Sequence, residues 1–255
     1  MEDSYKITFL CPGIRTKNWL KSYNSIELAC SHPFEVIFVG PYKLPDELKD
    51  KTNVKYIEDW GSPTRCQQIA LTMAKGEYIN WFADDGVFLP NSIDIGLKKL
   101  VGCDYKTLVM GRYREGNGDT DSMMQDEYYY LHHHSQCRLK GIPKDCLMLN
   151  CGLVPRKLLV EVGGWDCQFE VCPYSYNDLA VRLNLYGVKF IMQDECMFKC
   201  SHMPGHEGDH GPIHDAQTIH DEPLFQQLWA NEGRKPVILI TNWESTPDKW
   251  VRRFN

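Results

Sequence analysis

Two neighbouring carboxylates, Asp84 and Asp85, close the run Gly76-Glu77-Tyr78-Ile79-Asn80-Trp81-Phe82-Ala83-Asp84-Asp85-Gly86, which reads as a helix stop, a short apolar strand and a turn. Paired acids at the end of a strand set two anions on the rim of a sheet, where a divalent cation and a phosphorylated ligand can be held together. Ala83-Asp84-Asp85-Gly86 also fits a plain hairpin turn, because Asp-Gly between apolar runs is a strong turn signal. A second acid, Asp178, is expected at the start of a helix. There it can take the proton from an attacking hydroxyl, or simply favour the helix N-terminus and pair with Arg182 four residues on. Histidines recur at 202, 206, 210 and 214, with His220 beyond. Pro204, Gly205, Gly208, Gly211 and Pro212 among them predict a loop and not a helix. His202 follows a strand directly and so has a defined direction. Cys196, Cys200 and His202 offer a structural zinc alternative, at a spacing unusual for one. The run His132-His133-His134 reads as a surface or acceptor-side segment.

The elements that must position these groups alternate. Strands are expected at Ile7 to Cys11, Phe34 to Val39, Val54 to Ile57 and Tyr78 to Phe82, with a helix over Trp19 to Ala29. Ser62 is a cap and Pro63 a first-turn residue for a helix whose apolar face is Cys66, Ile69, Ala70 and Met73 and which Gly76 ends. Such alternation predicts βαβ units and a mostly parallel sheet, with Asp84 and Asp85 at its ligand-binding edge. Periodicity fades from Met110 to about Asp145. It returns as structure at Cys146 to Val154, helices at Arg156 to Val162 and Asn177 to Tyr186, and strands at Lys189 to Met192 and Met197 to Cys200. A last helix is expected at Pro223 to Asn231. Gly163-Gly164-Trp165-Asp166 reads as a turn.

The 255 residues, 43% apolar and 24% charged, have the composition of a soluble globular protein. A net charge of -6 argues against a broad nucleic-acid surface. No run is long enough to span a bilayer, and the N-terminus lacks the pattern of a signal peptide, so a cytoplasmic protein is expected. The eleven cysteines are then read as reduced thiols, most of them buried.

In their order along roughly residues 5 to 205, Cys11-Pro12-Gly13, Arg65, Gly76-Glu77-Tyr78-Ile79, Asp84-Asp85, Asn150-Cys151-Gly152, Gly163-Gly164-Trp165-Asp166, Asn177-Asp178 and His202 resemble the GT-A glycosyltransferases, in particular the family 2-like inverting enzymes. The resemblance implies an α/β fold of GT-A type, with a Rossmann-like, mostly parallel central sheet, flanking helices and a smaller acceptor-side region. It implies one domain over 1–255, with a nucleotide-binding half (1–105), an acceptor and catalytic half (106–205) and a His-rich and helical tail (206–255). It further implies a metal-dependent inverting transfer of sugar from a nucleotide-diphosphate donor, a UDP-sugar, to an acceptor hydroxyl, with a glycan the favoured acceptor. Pro12, Gly13, Arg15, Arg65, Asp84 and Asp85 would then bind the donor nucleotide, and Asp85 and His202 would hold Mn²⁺ or Mg²⁺. Asp178 would be the catalytic base, while Asn150, Gly164, Trp165, Asp166 and Asn177 would border sugar and acceptor. Val39-Gly40-Pro41 stands where many relatives carry a base-reading acidic pair, and Asn177 where they carry Glu. Two other readings stay open: a sugar-phosphate nucleotidyltransferase, and a non-catalytic nucleotide-sugar or zinc-binding module.

Overall fold

Alternating side chains make the first strands two-faced. From β1 (Ile7–Pro12), β2 (Phe34–Gly40) and β4 (Tyr78–Trp81), Leu10, Ile37, Val39, Ile79 and Trp81 enter one apolar core, while Ile7, Phe9, Cys11, Val36 and Phe38 enter another on the opposite face. Burial on both faces is the condition under which a parallel sheet is stable. With β3 (Val54–Glu58) these strands form the parallel order β3-β2-β1-β4 in a computed structural model that describes residues 4–117, 123–127, 149–202 and 211–229.

Helix α1 (Thr16–Ala29) covers one face through Trp19, Tyr23 and Ile26. After a single turn, α2 (Asp46–Lys49), helix α3 (Pro63–Met73) covers the other through Cys66, Ala70 and Leu71. It starts where the sequence signals it: the Ser62 hydroxyl accepts from the Arg65 N–H at 3.2 Å, and Pro63 sits in the first turn. The strands end almost level, with Pro12 beside Val39, Gly40 beside Glu58 and Leu10 beside Trp81. Their four following loops therefore open on one rim.

The second half of the sheet is mixed. It comprises β5 (Gly86–Phe88), β6 (Thr107–Asn117), β8 (Gly152–Pro155) and β9 (Lys189–His202), giving the full order β3-β2-β1-β4-β8-β6-β9-β5, while β7 (Met123–Glu127) pairs with β6. Here β6 and β9 are parallel, and the β4/β8, β6/β8 and β5/β9 pairs are antiparallel. Around it lie α4 (Ser92–Leu100), α5 (Arg156–Glu161) and α6 (Cys172–Leu185). The described chain closes with α7 (Gly211–Asp215), a π-helical segment over Ala216–Asp221 and α8 (Glu222–Trp229).

Several expectations are corrected. Asp84 and Asp85 are not the tip of a hairpin, because β4 pairs with β1 and β8 whereas β5 pairs with β9. The turn carries the chain from one half of the sheet to the other. Residues 110–117 are strand, stabilised by distant β9 and not by local pattern. The two expected strands at 189–192 and 197–200 are one, whose register slips between Met110 opposite Met192 and Arg112 opposite Cys196. Helix α6 begins at Cys172, with Pro173 in its first turn, so Asp178 lies inside the helix and not at its start. His214 and His220 are helical after all, since Gly211 and Pro212 fall at the N-terminus of α7, where proline is tolerated. His132 to His134, His206 and His210 lie outside the described residues.

The π-helical turn brings Asp221 inward. Its buried carboxylate accepts from the Glu170 N–H at 2.9 Å and the Val171 N–H at 2.8 Å, just before α6, and lies 2.8 Å from His220 Nδ1. Burial pushes its pKa up from 3.8 to about 6 against the pull of these partners. An acid raised on folding favours the folded state below its unfolded pKa and loses that contribution as pH climbs through the folded value. Asp221→Asn keeps one acceptor oxygen without the charge. Between pH 4 and pH 7 the variant should therefore gain stability relative to the parent, and urea unfolding at the two pH values that gave a constant difference would refute this assignment.

Candidate functional site

At the rim, the Asp84 carboxylate sits just before the start of α1, which has no side-chain cap of its own. Its Oδ2 accepts from the backbone N–H groups of Ile14 at 2.7 Å and Arg15 at 2.5 Å, with the Trp19 indole N–H at 3.4 Å. Its Oδ1 accepts from the Arg15 guanidinium at 2.6 Å. An anion at a helix N-terminus with a cation beside it is doubly favoured. The helix also grips the turn's backbone, Asn18 Nδ2 donating to the Asp84 carbonyl at 3.0 Å and the Ser22 hydroxyl to the Gly86 carbonyl at 2.9 Å. Ile14 and Arg15 are thus tied to Asp84, Gly13 lies against it, and Pro12 ends β1 just before them. The backbones are so close here that a Cβ on Gly40 would stand 2.0 Å from the Gly13 carbonyl oxygen.

Asp85 differs from its neighbour. Its side chain is 16% exposed and its Oδ2 stands 4.0 Å from Arg15 Nη1. Its negative charge is felt by two buried thiols, Cys11 in β1 and Cys172 at the start of α6, both of which burial pushes up first. Asp85 therefore lies within electrostatic reach of both β1 and α6. In the β5/β9 register Gly86 faces Cys200 and Val87 faces Lys199, and the same register continued sets residue 202 opposite residue 84. The His202 backbone is brought to the acid turn; its side chain lies outside what the structure describes. Among the described residues no three His, Cys, Asp or Glu side chains converge on a metal-sized space. With Asp84 committed to N–H donors, Asp85 is the acid whose chemistry suits Mn²⁺ or Mg²⁺.

On the α3/α6 side, the Gly-Gly-Trp turn is held by Gln68, whose Oε1 accepts from the Trp165 N–H at 2.9 Å and whose Nε2 donates to the Gly163 carbonyl at 3.2 Å. Gly164 needs φ of +66°, and a Cβ there would meet Gln68 Oε1 at 2.3 Å. Trp165 then packs edge-to-face on Trp81, with ring centroids 5.3 Å apart, three residues before the acid pair. Asp166 accepts from the Gln168 N–H at 3.0 Å. Asn150 precedes β8 and is partly exposed, and Asn177 is fully buried with neither amide atom hydrogen-bonded.

Asp178 is placed elsewhere. It is fully buried, with Oδ2 accepting from Arg182 Nε at 2.8 Å and Oδ1 from the Trp229 indole at 3.0 Å. Arg182 also donates to the Val162 and Gly164 carbonyls, both at 2.7 Å. This is an interior tie joining α6, the Gly-Gly-Trp turn and α8. Arg65 likewise faces a protein partner, gripping both oxygens of Asp59 at 3.0 to 3.1 Å. Gln68 and Trp229 escaped sequence reading because each acts through a partner far along the chain, and Asp59 because a turn and not a helical spacing brings it to Arg65 six residues on. The exposed Tyr42 and the half-buried Trp60, which meet edge-to-face at 6.1 Å just past β2 and β3, carried a readable signal: aromatic residues directly after parallel strands.

No protein-family profile and no curated protein matches this sequence. Solved structures do. TarS of S. aureus, residues 1–349, superposes with a TM-score of 0.56 at 13% identity over 77% of this chain and 60% of that one. The same protein in complex with UDP gives 0.56 at 14% over 87% and 69%, and in complex with UDP-GlcNAc 0.53 at 14% over 81% and 60%. The fold is of the GT-A type. The chain spans between three fifths and about seven tenths of these TarS structures. A GT-A-type sheet sets the acid turn at the C-terminal rim of β1 to β4, the edge on which a doubly wound sheet takes its ligands. Among the described residues no helix is long and apolar enough to cross a membrane.

Proposed function

We propose that the chain is a glycosyltransferase that takes its sugar from a nucleoside diphosphate, with a UDP-sugar as donor. The observation that supports this most directly is the clasp in which Asp84 ties the turn carrying Asp85 to the β1–α1 loop, in a fold shared with TarS structures that hold UDP and UDP-GlcNAc. On this reading the diphosphate lies at the acid turn beside Arg15, and the base stacks on Tyr42 and Trp60. Asp85 and His202 would hold Mn²⁺ or Mg²⁺, which when bound neutralises charge on the departing diphosphate. The protein's own groups fix the donor between the β1–α1 loop and the Gly-Gly-Trp turn, leaving the anomeric carbon open to an acceptor hydroxyl, a glycan's in the favoured case. An inverting, in-line displacement needs a base within reach of that hydroxyl. For Asp178 to serve, α8 with Trp229 must withdraw.

That occupancy of Asp178 favours a second reading, a nucleotide-sugar-binding module without turnover. Thermal shift with UDP and UDP-sugars, with and without Mn²⁺, tests the first requirement of both, since a ligand bound only by the folded state raises the melting temperature. A rise of several degrees with UDP, enlarged by Mn²⁺, is expected. No shift with any nucleoside diphosphate would end the donor assignment, and binding without sugar release to any acceptor in a glycan panel would favour the module.

A further inference from the structure

Beneath the acid turn lies a group of polar atoms that the fold seals away without partners. Gln67 on α3 and Trp81 on β4 have no exposed surface, and Trp165 is 1% exposed. None of Gln67 Nε2, Trp81 Nε1 and Trp165 Nε1 makes a hydrogen bond. Trp81, Trp165 and Tyr176 belong to one apolar cluster, which Gln67 joins through the Tyr176 hydroxyl. The Trp81 and Trp165 rings are 5.3 Å apart, the Tyr176 ring is 6.0 Å from Trp81, and the Tyr176 hydroxyl donates to Gln67 Oε1 at 3.1 Å. A buried N–H left unpaired is costly, and a native structure that keeps three together calls for an explanation. The Asp85 charge reaches Cys172, the thiol hydrogen-bonded to the Tyr176 hydroxyl.

Resting on the donor reading above, we infer that Gln67, Trp81 and Trp165 form the subsite that selects a donor sugar carrying an acetamido group. The unpaired atoms of the cluster are all donors: indole nitrogens only donate, the one amide oxygen is already taken by Tyr176, and the Tyr176 hydroxyl is itself hydrogen-bonded to the Cys172 thiol. A carbonyl oxygen, which accepts and never donates, satisfies such a set. A hydroxyl would bring a proton that must compete for the Tyr176 oxygen, already hydrogen-bonded to Cys172. A carboxylate would be an anion with no cation in the cluster and Asp85 nearby. The aromatic faces of Trp81, Trp165 and Tyr176 suit the acetamido methyl. Tyr176 keeps 8% exposure and so marks the side of entry.

The test is calorimetric titration of the full chain with UDP, UDP-glucose and UDP-N-acetylglucosamine, repeated on Trp81→Phe and Gln67→Met. These two positions on different elements keep the result readable if one variant folds poorly. The parent should bind the acetamido donor about tenfold more tightly than UDP-glucose, the scale of one or two buried hydrogen bonds. Each variant should lose that preference while its affinity for UDP stays within about twofold. Equal binding of the two sugar nucleotides by the parent, or a preference that survives in both variants, overturns the inference and leaves the donor reading intact. Failure of the parent to bind UDP at all removes both.

Discussion

Asp85→Ala should leave a folded protein that no longer transfers sugar, with kcat/KM lower by about three orders of magnitude, as expected when charge stabilisation worth several kcal/mol is removed. The loss should be local because the short bonds that hold Ile14 and Arg15 are made by Asp84, whereas Asp85 stands 4.0 Å from the Arg15 guanidinium. Its melting temperature should stay within a few degrees of the parent's, while any Mn²⁺-dependent gain in UDP affinity disappears. Steady-state rates with and without Mn²⁺, beside a melting curve, check this. Full transfer by Asp85→Ala would remove the acid turn from the mechanism.

Asp178→Ala should act in the opposite way, on stability first. The substitution leaves the Arg182 guanidinium, only 3% exposed, without its carboxylate, and deprives the Trp229 indole of its acceptor. Breaking a buried pair from one side costs roughly 3–5 kcal/mol, a large share of the stability of a typical domain. Because Arg182 also holds the Gly164 carbonyl, the Gly-Gly-Trp turn should loosen and KM for the donor sugar should rise. Urea unfolding decides between the roles. A catalytic base would show unchanged stability with turnover nearly gone, and that result would restore the assignment made from resemblance.

What was legible in the chain is what local physics controls. The strands from Ile7 to Trp81 are buried on both faces and read as apolar runs, and α3 announces itself through Ser62 and Pro63. The acid pair was legible too, because its turn ends an apolar strand. Strand residues 110–117 were not, since Arg112, Arg114, Glu115 and Asn117 have no apolar alternation and are ordered by β9, far along the chain. The start of α6 was missed for a related reason: Tyr174 packs on Phe225 of α8 at 5.6 Å, a tertiary contact that overrides weak local propensity. Asp178 and Arg65 illustrate the limit at the site. Spacing identified the charged residues, but their partners Trp229 and Asp59 are visible only once the chain is folded.

The long last strand also bears on the order of assembly. Only three residues long, β5 has β9 as its sole sheet neighbour among the described residues, and β6 takes β9 along most of its length. A nascent chain that has emerged only as far as α6 can assemble the four parallel strands, yet leaves β5 at a bare edge. Closing that edge demands loop closures of about a hundred residues, the kind of non-local pairing that slows folding. The corner that carries the acid turn should therefore be among the last parts to become rigid during synthesis.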